Sequence, residues 1–321
     1  MVVGRRHARP TNLTERRNKL VDLTLLPQLL ITGLAAGAPL AVLGLGISFI
    51  LNVANRFHFA YAVTITLGGF VSAVLTQNLG VPPVLSLLAA ALVTGLFGVA
   101  TEVFIYRPLA KRPGNAALLS IFISALGLTL ALEAVIQVVF ARQASAIGFP
   151  LVQDNPIPLG LGLRTSTLDV ISVVVFGGLS AIAVIVLRYT RIGQIVRGVR
   201  GNPMMARAVG IRPDTVYVWI FLVASAAAGV VGGFMAARYA ATPGMGYNLL
   251  FSSFVVAFLA GTRAPALRIV IVGLGLGVVQ VVSTLFIPPN LTNLVVFGIL
   301  FVYLVLKGLG FFRMFGTAGR A

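Results

Sequence analysis

Residues Leu29–Leu51 read LLITGLAAGAPLAVLGLGISFIL, a run without one ionisable side chain. About 20 consecutive apolar residues cross the hydrocarbon core of a bilayer as a helix, so this run alone points to a membrane-spanning chain. Outward from it, further apolar stretches occupy 57–77, 83–106, 116–140, 168–187, 215–237, 248–262, 265–287 and 291–306, separated by connections that carry the charges. Hydrophobic residues make up 58% of the 321 residues and charged ones 10%, against roughly 25% charged in soluble domains. That much apolar surface needs lipid as its solvent. Backbone groups in lipid must be satisfied within the segment, which selects helices, and the expected fold is an all-α integral membrane protein.

Basic residues sort to the cytoplasmic side of membrane proteins. All but four of the 24 Lys and Arg residues lie in the N-terminal tail 1–28, Arg107–Arg112, Arg188–Arg212, Arg263–Arg268 and the C-terminal tail 307–321. The exceptions, Arg56, Arg142, Arg164 and Arg238, are expected outside. No small-residue cleavage site follows the first apolar run, so the tail reads as retained and cytoplasmic. Three apolar stretches separate that tail from the Arg107 loop, an odd number, which conflicts with both being inside. The expectation is therefore about eight transmembrane helices plus one re-entrant or broken segment, with both termini cytoplasmic. The segment expected to break is 57–77, which holds His58, Tyr61, Thr64, Thr66, Gly68, Gly69 and Ser72. Irregular backbone at membrane depth is tolerated only against protein or a watery cavity, so 57–77 points to a pathway. Stretch 248–262 is short for a crossing.

The net charge of +17 is explained by orientation in the membrane and not by nucleic acid. None of the three lysines is followed by Ser or Thr, so the chain holds no phosphate-binding loop. Two histidines and no cysteine cannot supply a conventional zinc site, and neither H-E-x-x-H nor G-x-S-x-G occurs. A bound cofactor, a metal and an enzymatic activity are not expected.

The largest basic loop runs from Arg188 to Asp214. Within it Asn202 followed by Pro203 suits a helix start, Met204–Val209 suits a short helix, and Gly210 suits its C-terminal cap. Such a helix presents Met204, Met205, Ala208 and Val209 to a groove on a soluble partner. The same loop resting on anionic headgroups fits the spacing equally.

The run Thr190-Arg191-Ile192-Gly193 through Arg197, Arg200, Ala206, Gly210-Ile211 and Asp214 resembles the cytoplasmic loop of branched-chain amino-acid ABC transporter permeases. Glu102-Val103-Phe104-Ile105-Tyr106-Arg107-Pro108-Leu109 resembles that family's E-x-x-x-Y-R-P-L. Leu119–Gly127 and Ala227-Ala228-Gly229-Val230-Val231-Gly232-Gly233 resemble two later stretches. The resemblance covers about 29–306 and implies that 188–214 docks on an ATPase subunit, with Arg197, Arg200, Asn202, Ala206 and Gly210 as coupling residues. It further implies a plasma (inner) membrane location, a second permease subunit (the same chain or a paralogue), ATP-binding cassette subunits that hold the ATP, and an external solute-binding protein. Two places depart from the family pattern. Phe57-His58-Phe59-Ala60-Tyr61-Ala62 stands where the family has roughly [ML]-N-F-[AS]-[HQ]-G, and Ala260–Arg268 stands where it has G-G-x-G-S-x-x-G-A.

Intramembrane carboxylates are expensive and usually functional. Glu102 is expected near the cytoplasmic end of its span, where Arg107 can pair with it. Glu133 lies seven residues before the end of its stretch, about 10 Å deep, where it bonds a neighbouring helix or lines a polar route. His58, Tyr61 and Glu133 are the substrate-path candidates. The expected function is ATP-driven import of a small polar solute through this subunit. The alternative is a proton-coupled secondary transporter using Glu102 or Glu133.

Overall fold

The computed structural model describes residues 26–111, 116–140, 147–152, 155–160, 163–261, 264–288 and 291–308. The helices are α1 (Leu26–Val53), α2 (Tyr61–Leu79), α3 (Pro83–Ala100), α4 (Ala116–Phe140), α5 (Thr167–Tyr189), α6 (Arg191–Gly201), α7 (Pro203–Ala208), α8 (Pro213–Tyr239), α9 (Met245–Ala260), α10 (Ala266–Ser283) and α11 (Thr292–Gly308). α3 continues through a π-helical stretch, Thr101–Tyr106, into a last turn at Arg107–Leu109. A two-stranded antiparallel hairpin, β1 (Pro156–Gly160) and β2 (Leu163–Ser166), precedes α5. The fold is all-α apart from this hairpin. The nine apolar stretches correspond to α1–α5 and α8–α11. Among the described residues seven helices are long and apolar enough to cross a membrane, and α9 and α11 are shorter.

The direction of each helix follows from its end contacts. At the start of α1 the Gln28 side chain bonds the Arg164 backbone in the hairpin. At its far end Val53 packs with Val196 and Val199 of α6 and Ala206 of α7. α2 then starts inside the bundle, where the Tyr61 hydroxyl donates to the Ala224 carbonyl of α8 at 3.2 Å. It ends near the hairpin face, where Gln77 bonds the Gly148 carbonyl.

The chain therefore crosses three times before Arg107, and the parity conflict resolves differently from the expectation. Stretch 57–77 is broken at its start but is not re-entrant: the irregular backbone is confined to 54–60, and α2 completes the crossing. The start of α1 and the 188–214 loop stand at opposite ends of the bundle. The tail residues 1–25 and 309–321 lie outside the described residues. Arg56 is also corrected, because it sits at the 188–214 end, paired with Glu102. Arg164 and Arg238 alone among the described Lys and Arg residues stand in the hairpin half; Arg142 lies outside the described residues.

The two halves of the chain repeat one plan in opposite directions. α1 runs toward the 188–214 end, breaks at Asn55 (φ 54°) and returns as α2. α8 runs toward the hairpin end, breaks at Ala240 (φ 66°) and returns as α9. These are the two non-glycine residues with positive φ among the described residues. Neighbours correspond as well: α1 packs chiefly on α10, and α8 packs chiefly on α3. α2 and α9 meet where Gly246 N–H donates to Thr66 Oγ1 at 3.2 Å. Sequence reading missed this repeat because the halves share a plan without an obvious shared motif.

Close backbone approach, which lipid-embedded helices use for association, explains the α1–α10 seam. A Cβ on Gly277 would collide with the backbone of Gly37. Gly275, two residues earlier on α10, faces open space. On the other side Phe176 of α5 sits edge-on to Phe234 of α8, ring centroids 5.1 Å apart.

Coupling surface and interior polar clusters

The α5–α6 corner is tight, and α6 then lies across the end of the bundle. Its Val196 and Val199 are buried while most of its other side chains are exposed. Asn202 starts α7 from an extended conformation, its Oδ1 accepting from Met204 N–H (3.0 Å) and Met205 N–H (3.1 Å). That satisfies two of the backbone donors a helix start leaves free. Gly210 at φ 85° ends the turn, with Gly210 N–H bonding the Arg207 carbonyl and Ile211 N–H the Ala206 carbonyl, each at 3.0 Å. The expected cap, short helix and left-handed glycine are all present. The 188–214 loop also holds a helix that sequence reading did not anticipate, α6 (Arg191–Gly201).

Met204, Met205 and Val209 are 75%, 67% and 75% exposed, whereas Ala206 is 4% exposed. Ala206 thus faces inward onto Val53, and the methionines face outward. Arg200 Nη1 donates to the Ala264 carbonyl at 3.3 Å, tying α6 to the α9–α10 connection. Arg197 bonds the Leu187 carbonyl at the end of α5.

Behind α7 lies a chain of charges. Arg207 pairs with Asp214 at 3.5 Å, and Arg107 Nη2 donates to the Asp214 carbonyl at 3.0 Å. Glu102 does not take Arg107, as expected from sequence, but Arg56, at 3.4 and 3.5 Å. The Arg56 guanidinium also lies 5.8 Å from the Tyr217 ring centroid. The π-helical stretch puts Glu102 and Tyr106 on the buried face together. The Tyr106 hydroxyl lies 2.8 Å from His58 Nδ1. Such π-turns often mark functional segments.

His58 and Tyr61 are fully buried, with His58 edge-on to Tyr61, Tyr106 and Phe221. In this conformation the two path candidates pack around the α1–α2 break. His58 Nε2 is buried without a hydrogen-bond partner among the described residues.

Glu133 stands elsewhere, in the hairpin half of α4, and is half-buried. Its Oε2 accepts from the Tyr247 hydroxyl at 2.6 Å. A narrow cleft there is lined by Ala62, Val63, Thr66, Thr129, Glu133, Pro243 and Tyr247, and is too tight to admit a water in this conformation. It opens beside the meeting point of α2 and α9. Gln137, one turn from Glu133, is exposed, as are Asn248 and Asn293, whose amides bond each other at 3.1 Å. Sequence gave no signal for Tyr247, or for the partners that Arg56 and Asp214 take. The four-residue spacing of Glu102 and Tyr106 was the signal available for that pair.

Comparison with known proteins agrees with this architecture. The model of the family described as branched-chain amino acid transport system / permease component matches residues 29–305. The high-affinity branched-chain amino acid transport system permease protein LivH of Salmonella typhimurium is 24% identical over 88% of this chain and 94% of its own length, and that of Escherichia coli K12 matches equally. A probable branched-chain amino acid transport permease protein LivH of Methanocaldococcus jannaschii is 29% identical over 70% of each chain. No solved structure matches. Because the family model matches the chain from α1 to α11, the chain belongs to the family of branched-chain amino acid transport permease components.

Proposed function

We propose that this chain is the membrane subunit of an ABC importer for a branched-chain or related amino acid. It works with a second permease subunit, identical or paralogous, with ATP-hydrolysing subunits and with an external solute-binding protein. The α6–α7 end faces the cytosol, which puts the start of α1 outside and the end of α11 inside. The observation that carries this reading is α7: a capped helix whose outer face is Met204, Met205 and Val209 and whose inner face is Ala206, seated on the end of α1. An ATPase that grips the outer face moves Ala206 and with it α1. The Arg207–Asp214–Arg107 links carry the same displacement into α8 and α3. Rocking of two inverted halves about a central site is the usual route to alternating access, and the α2–α4–α9 junction around Glu133 is the path.

The test is uptake of radiolabelled leucine into proteoliposomes, with and without the cognate ATPase. Uptake is expected to require both ATP and that subunit, and to be lost in the Met204→Glu/Met205→Glu variant. ATP-independent uptake that is lost in Glu133→Gln would instead identify a proton-coupled secondary transporter.

A further inference from the structure

Four carboxylates stand among the described residues, and three of them have a cation. Glu102 pairs with Arg56, Asp169 with Arg238 at 2.6 Å, and Asp214 with Arg207. Glu133 has only the Tyr247 hydroxyl. It lies about 10 Å inside the end of α4 at 1.5 Å per residue, and it is partly exposed. A carboxylate facing lipid at that depth is strongly disfavoured, so intramembrane acids face a bundle interior or watery cavity and take a partner. Gln137, one turn along α4 from Glu133, is a second polar side chain on this part of the helix and is exposed. Among the described residues the position is thus a negative site without a paired cation, next to the junction of the two half-repeats.

We infer that Glu133, oriented by Tyr247, is the subsite for the primary ammonium group of the transported solute. The remaining surroundings fit an aliphatic side chain. Ala62, Val63 and Pro243 supply an apolar wall, and Thr66 and Thr129 complete it with hydroxyls that donate to the Ala62 and Ala125 carbonyls of their own helices. A hydrogen-bonded ammonium gives the carboxylate the charge partner that Arg56 and Arg238 give the others. The cleft is closed in this conformation, so the solute enters as the α2–α9 junction opens and leaves when it closes, which keeps residence short. Discrimination follows from the same charge: an α-hydroxy acid of equal shape leaves Glu133 unpaired.

This inference rests on the importer reading, and the experiment separates the two. The complete complex is assembled in proteoliposomes with its binding protein and ATPase, and leucine uptake is normalised to assembled complex. If wild-type uptake does not require ATP, the importer reading fails at that step. Given ATP-driven uptake, Glu133→Gln is expected to lower it at least about tenfold, the scale of one charge-assisted hydrogen bond. Tyr247→Phe is expected to lower it less, and Glu133→Lys, whose own ammonium fills the subsite, to abolish it. Because the chain contains no cysteine, a Thr129→Cys variant with Glu133 intact gives an independent readout. Millimolar leucine should slow its modification by a cationic thiol reagent during turnover, and 2-hydroxyisocaproate should not. Wild-type uptake by Glu133→Gln, or modification of Thr129→Cys that leucine does not slow, overturns the assignment. Should Glu133→Gln fail to assemble, the Thr129→Cys protection decides.

Discussion

The Arg56–Glu102 pair stands between the α1–α2 break and the π-helical turn of α3, and its removal has a calculable cost. Glu102 is 0% exposed and Arg56 is 11% exposed. Arg56→Met leaves a carboxylate without its partner in the protein interior, and breaking a buried pair from one side costs about 3–5 kcal/mol. Glu102→Gln leaves an arginine that still has solvent access and the Tyr217 ring, so its cost is nearer the roughly 1–3 kcal/mol of an unmet polar group. The double variant Arg56→Met/Glu102→Gln removes both charges and is expected to be more stable than Arg56→Met alone. The coupling in the cycle should then be about 2–3 kcal/mol, at the upper end for neighbouring residues. The single tryptophan, Trp219, lies on α8 two residues past Tyr217 and provides the signal. The four variants are unfolded in mixed micelles while Trp219 fluorescence is followed. Additive losses in the two single variants, with the double variant the least stable, would refute the claim that these charges stabilise each other.

Three further outcomes follow from geometry already described. Gly277→Leu drives a side chain into the Gly37 backbone and should abolish recovery of monodisperse protein on size-exclusion chromatography, whereas Gly275→Leu, facing open space, should not. Ala206→Leu overpacks the contact with Val53, Val196 and Val199, and should cost about 1–3 kcal/mol in micelle unfolding; an unchanged midpoint would contradict the seating of α7. Gly210→Ala places a Cβ at φ 85°, a left-handed conformation that costs about 1–2 kcal/mol, and should weaken co-purification of the ATPase without altering the helical circular dichroism.

Sequence made the apolar stretches legible because lipid imposes one rule on all of them: enough apolar length, with backbone bonds closed locally. The α7 caps were legible for a related reason, since Asn202, Pro203 and Gly210 act on backbone within four residues of themselves. What failed was whatever depended on charges far apart in the chain. Counting Arg56 as a loop cation put it outside, but it turns inward to Glu102, 46 residues on. Of the expected re-entrant or broken segment, only the break is present, confined to 54–60. His58 looked like a path residue because it is polar within an apolar stretch, and the aromatic groups that bury it come from α2, α3 and α8. Glu133 was visible as an oddity from the outset. That it has no cation among the described residues emerged only once the other three described acids had been matched with theirs.

The opposed senses of α1–α4 and α8–α11 carry one more implication. At present the Asn55 corner is wrapped around a sealed aromatic knot while the Ala240 corner adjoins the cleft. If each half took the shape now held by the other, the sealed knot would pass to the hairpin end and the cleft to the 188–214 end. One plan is thus held in two shapes at once, one in each half.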